Sequence, residues 1–362
     1  MKRVSTYALV PGMKVAEDVY NYNKQLVLPK GTILTDDVIT RLEFYSVIQV
    51  YITDETSSDN APELLDPDVP HPSFSERLQQ SAQFIEFKKE YEDQVSDFRN
   101  TLNDVIRKNT DLNQDDLLHH IQNLVTGSPG PGGLFDMLHN MRQYNDATYT
   151  HCINVSLICN TFGKWLSLPD KDIDTVTLCG LLHDVGKLMV PLGILNKPSK
   201  LTESEFNIIK RHPINGYRVL KNLHIDPAVC NAALFHHEKC DGSGYPYGLT
   251  GERLDPFTKI VTIADIYEAM TCARIYRGAL CPFRVIALFE EEGFQKYDTK
   301  YILTFLSHVA ETYLSYRVRL SDGSFGEIVL INRHRLSRPL IKCGSEFIDL
   351  SKRRDLEIDC II

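Results

Sequence analysis

The nine cysteines of this chain (Cys152, Cys159, Cys179, Cys230, Cys240, Cys272, Cys281, Cys343 and Cys360) contain no CxxC pair. That scatter offers no dithiol motif, and reduced thiols are the expectation. The N-terminus, MKRVSTYALVPGMK, lacks the apolar stretch of a signal peptide. No segment approaches the roughly 20 apolar residues of a membrane-spanning helix. These absences predict a cytoplasmic protein without a membrane span. A basic excess is missing as well. The net charge of −9 argues against a general binder of nucleic-acid polymer or anionic membrane, which would carry a basic field. A small anionic substrate held by a few local cations and metal ions is still allowed. No internal repeat occurs, and no motif for a covalent enzyme intermediate is present.

What is there is ordinary in bulk: 43% apolar and 24% charged residues, as in soluble globular proteins. A chain of 362 residues exceeds what one hydrophobic core usually serves, so several units are expected. Residues 1–53 read as a small α/β regulatory unit, with QLVLPKGTILT and VIQVYI as strand signals around the helical DDVITRLEFY. Residues 54–74 are rich in Pro, Asp and Ser and read as a linker. Residues 75–133 read as a helical connector in which Phe84, Phe87, Tyr91, Val95, Phe98, Leu102 and Val105 form a heptad-like seam. The seam is short, which favours packing on its own chain over a homodimer contact. Residues 134–315 are dominated by helix-period patterns. In residues 316–362, YRVRLSDGSFGEIVLI places two β-prone runs around Asp322-Gly323, predicting a hairpin in a β-rich unit. The predicted fold class is mainly α, with an all-helical central domain between two small β-containing units.

Half of the twelve histidines fall between positions 151 and 237, about a quarter of the chain. His183-Asp184 ends the apolar run LCGLLHDVGK, and Asp265 is a lone carboxylate in KIVTIADIYEAM. Each alone reads as a hydrogen-bonded structural residue, because burying such a group is costly unless something satisfies it. His151, His183, His212, His236 and His237 together with Asp184 and Asp265 shift the reading to metal. Helical neighbours point about 100° apart, so the adjacent pairs His183-Asp184 and His236-His237 suit two ions better than one. Asp184 can bridge them. Seven ligands also exceed one tetrahedral zinc site. His224 lacks such company and reads as an ordinary surface residue.

HDVGK (183–187) followed by HHEKCDGSGYP (236–246) resembles the HD-GYP subgroup of HD-domain phosphohydrolases, over roughly residues 141–315. The resemblance implies a metal-dependent phosphodiesterase for cyclic di-GMP, yielding pGpG and/or GMP. It also implies one metal site from His151, His183, Asp184 and Asp265, and a second from Asp184, His212, His236 and His237. Two divalent ions, iron or manganese foremost, would activate water for in-line attack. Asp184 and Lys187 would be catalytic. Lys187, Arg274, Arg277, Gly244 and Tyr245 would contact substrate, and the Gly244-Tyr245-Pro246 loop would also serve signalling protein partners. Family members with a third metal carry Glu four residues before the first histidine, where this chain has Ala147. Family members often flank the phosphate-contacting arginine with Asp and Pro, where this chain has Ala273 and Ile275. Glu238 and Asp241 read as shaping the loop or orienting the ligand histidines. The alternatives are a phosphodiesterase for another cyclic dinucleotide or nucleotide, and a catalytically weak sensor that binds a cyclic dinucleotide or a partner. If the histidines are sorted correctly, His224→Ala leaves hydrolysis and metal content unchanged; a large loss in either assay would show that they are not.

Overall fold

The heptad-like seam folds as one long helix, α1 (Ala82–Lys108), whose seven seam side chains are all buried. In the computed structural model of the chain, residues 2–5, 9–10, 12–20, 26–35, 38–39, 42, 47, 49–53, 78–108, 110–128, 131–141, 147–197, 199–272 and 280–362 are described. The linker at 54–74, Asp146, Ala273, Arg274, Ile275 and Arg277 lie outside the described residues. The seam side chains belong to the main hydrophobic core of their own chain, alongside Phe162, Val176, Ile263 and Phe305.

Eleven further helices follow among the described residues: α2 (Gln114–Gly127), α3 (Pro131–Asn140), α4 (Ala147–Trp165), α5 (Asp170–Leu182), α6 (Leu192–Leu195), α7 (Glu203–Ile209), α8 (His212–Asn222), α9 (Pro227–Phe235), α10 (Pro256–Thr271), α11 (Pro282–Lys296) and α12 (Thr299–Thr312). Their starts are written locally. Proline occupies the first turn of α8, α9, α10 and α11, where its fixed φ suits a helix and its missing N–H goes unneeded. Asp226 and Asp255 cap α9 and α10 by accepting backbone N–H bonds from Ala228 and Thr258. Helix α4 is buried from His151 to Gly163 and α5 from Val176 to Leu182, as central helices are. Val155, Leu157, Cys159 and Phe162 of α4, with Val176, Cys179, Leu181 and Leu182 of α5, all lie in the core.

The two small β units bracket this bundle in sequence. Near the N-terminus, β1 (Lys2–Ser5) pairs antiparallel with β4 (Gln49–Ile52), and β2 (Val19–Tyr20) with β3 (Leu26–Leu28). Apolar side chains of these strands and the segments between them, including Val15, Leu28, Leu34, Leu42 and Val50, form a separate core. Near the C-terminus, β5 (Arg317–Leu320), β6 (Phe325–Leu330), β7 (Leu340–Cys343), β8 (Glu346–Asp349) and β9 (Ile358–Ile361) make one antiparallel sheet in the order β8-β7-β6-β5-β9. The expected hairpin joins β5 to β6. Asp322 accepts the Ser324 N–H at 2.9 Å, and Gly323 adopts φ +85°. Val318, Leu320, Ile328 and Ile341 turn one face of this sheet into the main core. The mainly α class with β-containing flanks is therefore borne out.

Phe87 of α1 is buried in the core with its ring 6.1 Å from that of Tyr91. Phe87→Ala should cost about 3–5 kcal/mol of unfolding free energy in urea titration, through lost burial and a cavity. A loss below about 1 kcal/mol would mean that the seam does not anchor α1 to the core.

Candidate metal centre

The local sequence puts each candidate ligand where a helix begins, ends or crosses the core. Helix α5 stops at Leu182, and His183 and Asp184 follow, with Asp184 at φ −103°, ψ 10° leading into a 3₁₀ turn, Val185–Met189. His212 opens α8, directly after α7 and its short connection. His236 closes α9, and His237 follows it. His151 lies within α4 and Asp265 within α10. Both adjacent pairs therefore sit at a helix end, with His183 and His236 still in right-handed helical backbone.

These seven side chains converge. His212, His236 and His237 bring one ligand-type atom each within 4.8 Å of one another, as do His151, His183 and Asp265, and again His183, Asp184 and His236. Asp184 stands between the groups. Its Oδ1 lies 3.1 Å from His212 Nε2 and 3.6 Å from His236 Nε2. Its Oδ2 lies 3.5 Å from His151 Nε2 and 3.4 Å from His183 Nε2. Asp265 Oδ1 is 3.1 Å from His151 Nε2, and its Oδ2 is 3.9 Å from His237 Nδ1. Lys187, one helical turn after Asp184, donates a hydrogen bond to Asp184 Oδ2.

Three histidines are aimed by the same device. Carbonyls freed at helix ends lack intrahelical donors. His183 Nδ1–H donates to Gly180 O at 2.7 Å, His212 Nδ1–H to Ile209 O at 2.8 Å, and His236 Nδ1–H to Ala233 O at 3.0 Å. Each bond leaves Nε2 as the lone-pair nitrogen facing the centre. His151, inside a helix, has no free carbonyl to use. Its Nδ1–H donates instead to Glu268 Oε2 at 2.5 Å.

Five of these side chains are held in protonation states that suit a cation. Burial pushes the pKa values of His212 and His236 down despite the pull of Asp184. Burial and then the charge of His236 drive His237 well below the usual imidazole value. Burial would raise Asp184, but the Lys187 ammonium and His183 outweigh it and hold the carboxylate well below its usual range. Asp265 is likewise held low against burial by its hydrogen bond and charge contact with His151. His151 alone goes the other way: burial lowers it, but Glu268 and Asp265 raise it to about 9. Neutral imidazoles and ionised carboxylates are the forms that bind divalent ions. His151 Nε2, His183 Nε2 and Asp184 Oδ1 are buried without a directed hydrogen-bond partner. Such orphaned groups cost about 1–3 kcal/mol each unless something satisfies them. The donor set, nitrogen and oxygen only, fits a divalent transition metal.

The loop after His237 is built on its own backbone. Buried Glu238 accepts the Tyr247 N–H at 2.7 Å and the Leu249 N–H at 2.9 Å, and Asp241 accepts the Ser243 N–H at 2.9 Å. Both acids thus shape the loop, as expected. A Cβ on Gly244 would meet Glu238 Cα at 2.4 Å, so only glycine allows this close approach. Tyr245 stacks on His237 with ring centroids 4.6 Å apart, and Lys210 Nζ lies 5.0 Å from the Tyr245 ring and 5.2 Å from that of Phe206. His224 is exposed, beyond the end of α8. The sequence reading missed Glu268, Asn154 and Lys210. The first two carried a signal: Glu268 is three residues after Asp265 and Asn154 three after His151, so each shares a helix face with a candidate ligand.

Gly186 sets one spacing of the centre, because a Cβ there would meet His212 O at 2.0 Å and Gly216 N at 2.5 Å. Gly186→Ala must push the turn carrying Asp184 away from α8. Mn²⁺ affinity in equilibrium dialysis should fall about 10–100-fold, as for loss of a ligand-orienting contact. Unchanged affinity would show that this contact does not govern the Asp184–His212 spacing.

Comparison with known proteins agrees with this geometry. The HD domain family matches residues 134–301. Cyclic di-GMP phosphodiesterase PA4108 of Pseudomonas aeruginosa is 32% identical over 213 residues, 59% of this chain and 51% of that protein. The 3'3'-cGAMP-specific phosphodiesterase 1 of Vibrio cholerae is 40% identical over 145 residues, 40% of this chain and 34% of that protein. Cyclic di-GMP phosphodiesterase response regulator RpfG of Xanthomonas campestris is 38% identical over 141 residues, 38% of this chain and 37% of that protein. The chain thus spans between about a third and a half of the length of these curated relatives. No helix among the described residues is long and apolar enough to cross a membrane. HDVGK, HHEKCDGSGYP and their converging side chains all lie within residues 134–301, the segment that matches the HD domain family.

Proposed function

We propose that this chain is a metal-dependent phosphodiesterase that hydrolyses cyclic di-GMP to pGpG and/or GMP. The observation that carries the reading is the position of Asp184, whose Oδ1 faces His212 and His236 while its Oδ2 faces His151 and His183. In this reading His151, His183, Asp184 and Asp265 hold one divalent ion, and Asp184, His212, His236 and His237 hold the other, with iron or manganese as the metals. Bound there, such ions supply Lewis acidity toward phosphate and lower the pKa of water so that it serves as nucleophile near neutral pH. The protein's own part is positioning and charge. Asp184 stays ionised beside the Lys187 ammonium. Lys187 is thereby held where it can neutralise a non-bridging phosphate oxygen in the transition state. Arg274 and Arg277, following α10, would take the remaining phosphate charge. Gly244 and Tyr245 would border the substrate, with Lys210 beside the Tyr245 ring as a further cation.

Residues 134–315 act as the catalytic domain in this reading, residues 75–133 as its connector and residues 1–53 as a regulatory unit, in a cytoplasmic protein. A second reading, hydrolysis of cyclic GMP-AMP, is favoured by the 40% identity to a 3'3'-cGAMP-specific relative. The test is metal analysis of anaerobically purified protein, coupled to chromatography of digests of both cyclic dinucleotides. The expected result is about two metal ions per chain and faster loss of cyclic di-GMP, by the dinuclear chemistry above. Preferential loss of cyclic GMP-AMP would install the second reading. Asp184→Ala should abolish hydrolysis and release metal; normal turnover in that variant would mean that the site is misassigned.

A further inference from the structure

One candidate ligand, His151, takes its orientation from a different helix, and the chain of contacts behind it runs to a third. Glu268 of α10 accepts the His151 Nδ1–H through Oε2. Its other oxygen, Oε1, accepts from Asn154 Nδ2 at 2.9 Å and from the Cys272 thiol at 2.8 Å. Asn154 Oδ1 in turn accepts the Tyr91 hydroxyl at 2.6 Å. That hydroxyl also lies 3.4 Å from Thr150 O, too long to compete with the shorter bond. Tyr91 belongs to α1 and is 1% exposed; His151, Asn154 and Glu268 are buried too.

The bonds have one polarity throughout. Tyrosine gives its proton to the amide oxygen, the amide gives its proton to the carboxylate, and the carboxylate accepts from the imidazole. No member can reverse without leaving a donor facing a donor or an acceptor facing an acceptor. The end of the series therefore fixes hydrogen on His151 Nδ1 and leaves Nε2, 3.1 Å from Asp265 and 3.5 Å from Asp184, as the nitrogen that can give up its proton to a cation. Without the Tyr91 hydroxyl, a buried Asn154 oxygen loses its strong donor. The amide is then held only by its own bond to Glu268 Oε1, and the carboxylate that orients His151 is less firmly placed.

We infer that Tyr91 is a positioning residue for the metal centre, and that α1 sets the centre's metal affinity through Tyr91, Asn154 and Glu268. The inference rests on the metal-centre reading above.

Mn²⁺ titration of the full chain, by equilibrium dialysis without substrate, tests this. Glu268→Gln keeps the shape, removes the charge, and should weaken binding about 10–100-fold. Tyr91→Phe removes one oxygen atom two links further out and should weaken it about threefold to tenfold, but should have no further effect in the Glu268→Gln background. Leu102→Ala, buried on the same helix outside the hydrogen-bond series, should lower the thermal midpoint while leaving Mn²⁺ affinity unchanged. Wild-type affinity in Tyr91→Phe, additive losses in the double variant, or an equal affinity loss in Leu102→Ala would each overturn the proposal. Wild-type protein that binds Mn²⁺ but leaves cyclic di-GMP intact would overturn the substrate assignment alone, and the same titration of Tyr91→Phe would still decide the relay.

Discussion

Burying Asp184, 1% exposed in a core of apolar helices, is the constraint on which the rest of the molecule turns. An isolated carboxylate in such surroundings would cost many kcal/mol or would protonate. Here it stays charged because the Lys187 ammonium and His183 outweigh burial, while His151, His212 and His236 crowd the same two oxygens. Those partners arrive from α4, from the ends of α5 and α9, and from the start of α8. Building the surroundings of this one carboxylate thus requires several helices to meet at one point. The electrostatics that prepare the centre for cations are also a strong specification of the bundle.

Helix ends do much of this work. A helix terminus supplies carbonyls with no internal donor, and three candidate ligands consume one each with Nδ1–H. The imidazoles become rigid, their lone pairs turn inward, and the termini are satisfied in the same stroke. Gly186 and Gly244 serve the same end by letting backbone approach backbone, one beside His212 and the other beside the segment 237–239. A side chain at either place would separate elements whose ligand atoms lie only 3–4 Å apart.

His151 shows what the alternative to a helix-end carbonyl requires. An imidazole within a helix must find its acceptor elsewhere, and Glu268 supplies it from α10. Burial opposes the charge on Glu268, but His151 and its other partners hold its pKa down at about 2. The acid is in turn held by Asn154 and Cys272, and Asn154 by Tyr91. A helix whose apolar seam reads only as packing thereby also carries a polar contact with the centre.

Much of this was legible in the order of residues. Periodicity revealed α1 and its seam, Asp322-Gly323 marked the hairpin, and two spaced motifs fall in the segment that matches the HD domain family, because each is a local pattern. The seven candidate ligands were legible too, since polar residues ending apolar runs are conspicuous. What the sequence could not contain was the geometry between elements: that Asp184 turns one oxygen to each group of histidines, that the adjacent ligands lie past their helix ends, and that Tyr91 reaches Asn154 across 63 positions. Such contacts depend on how helices cross, and helix crossing is decided by the packing of whole faces, not by any short stretch of chain.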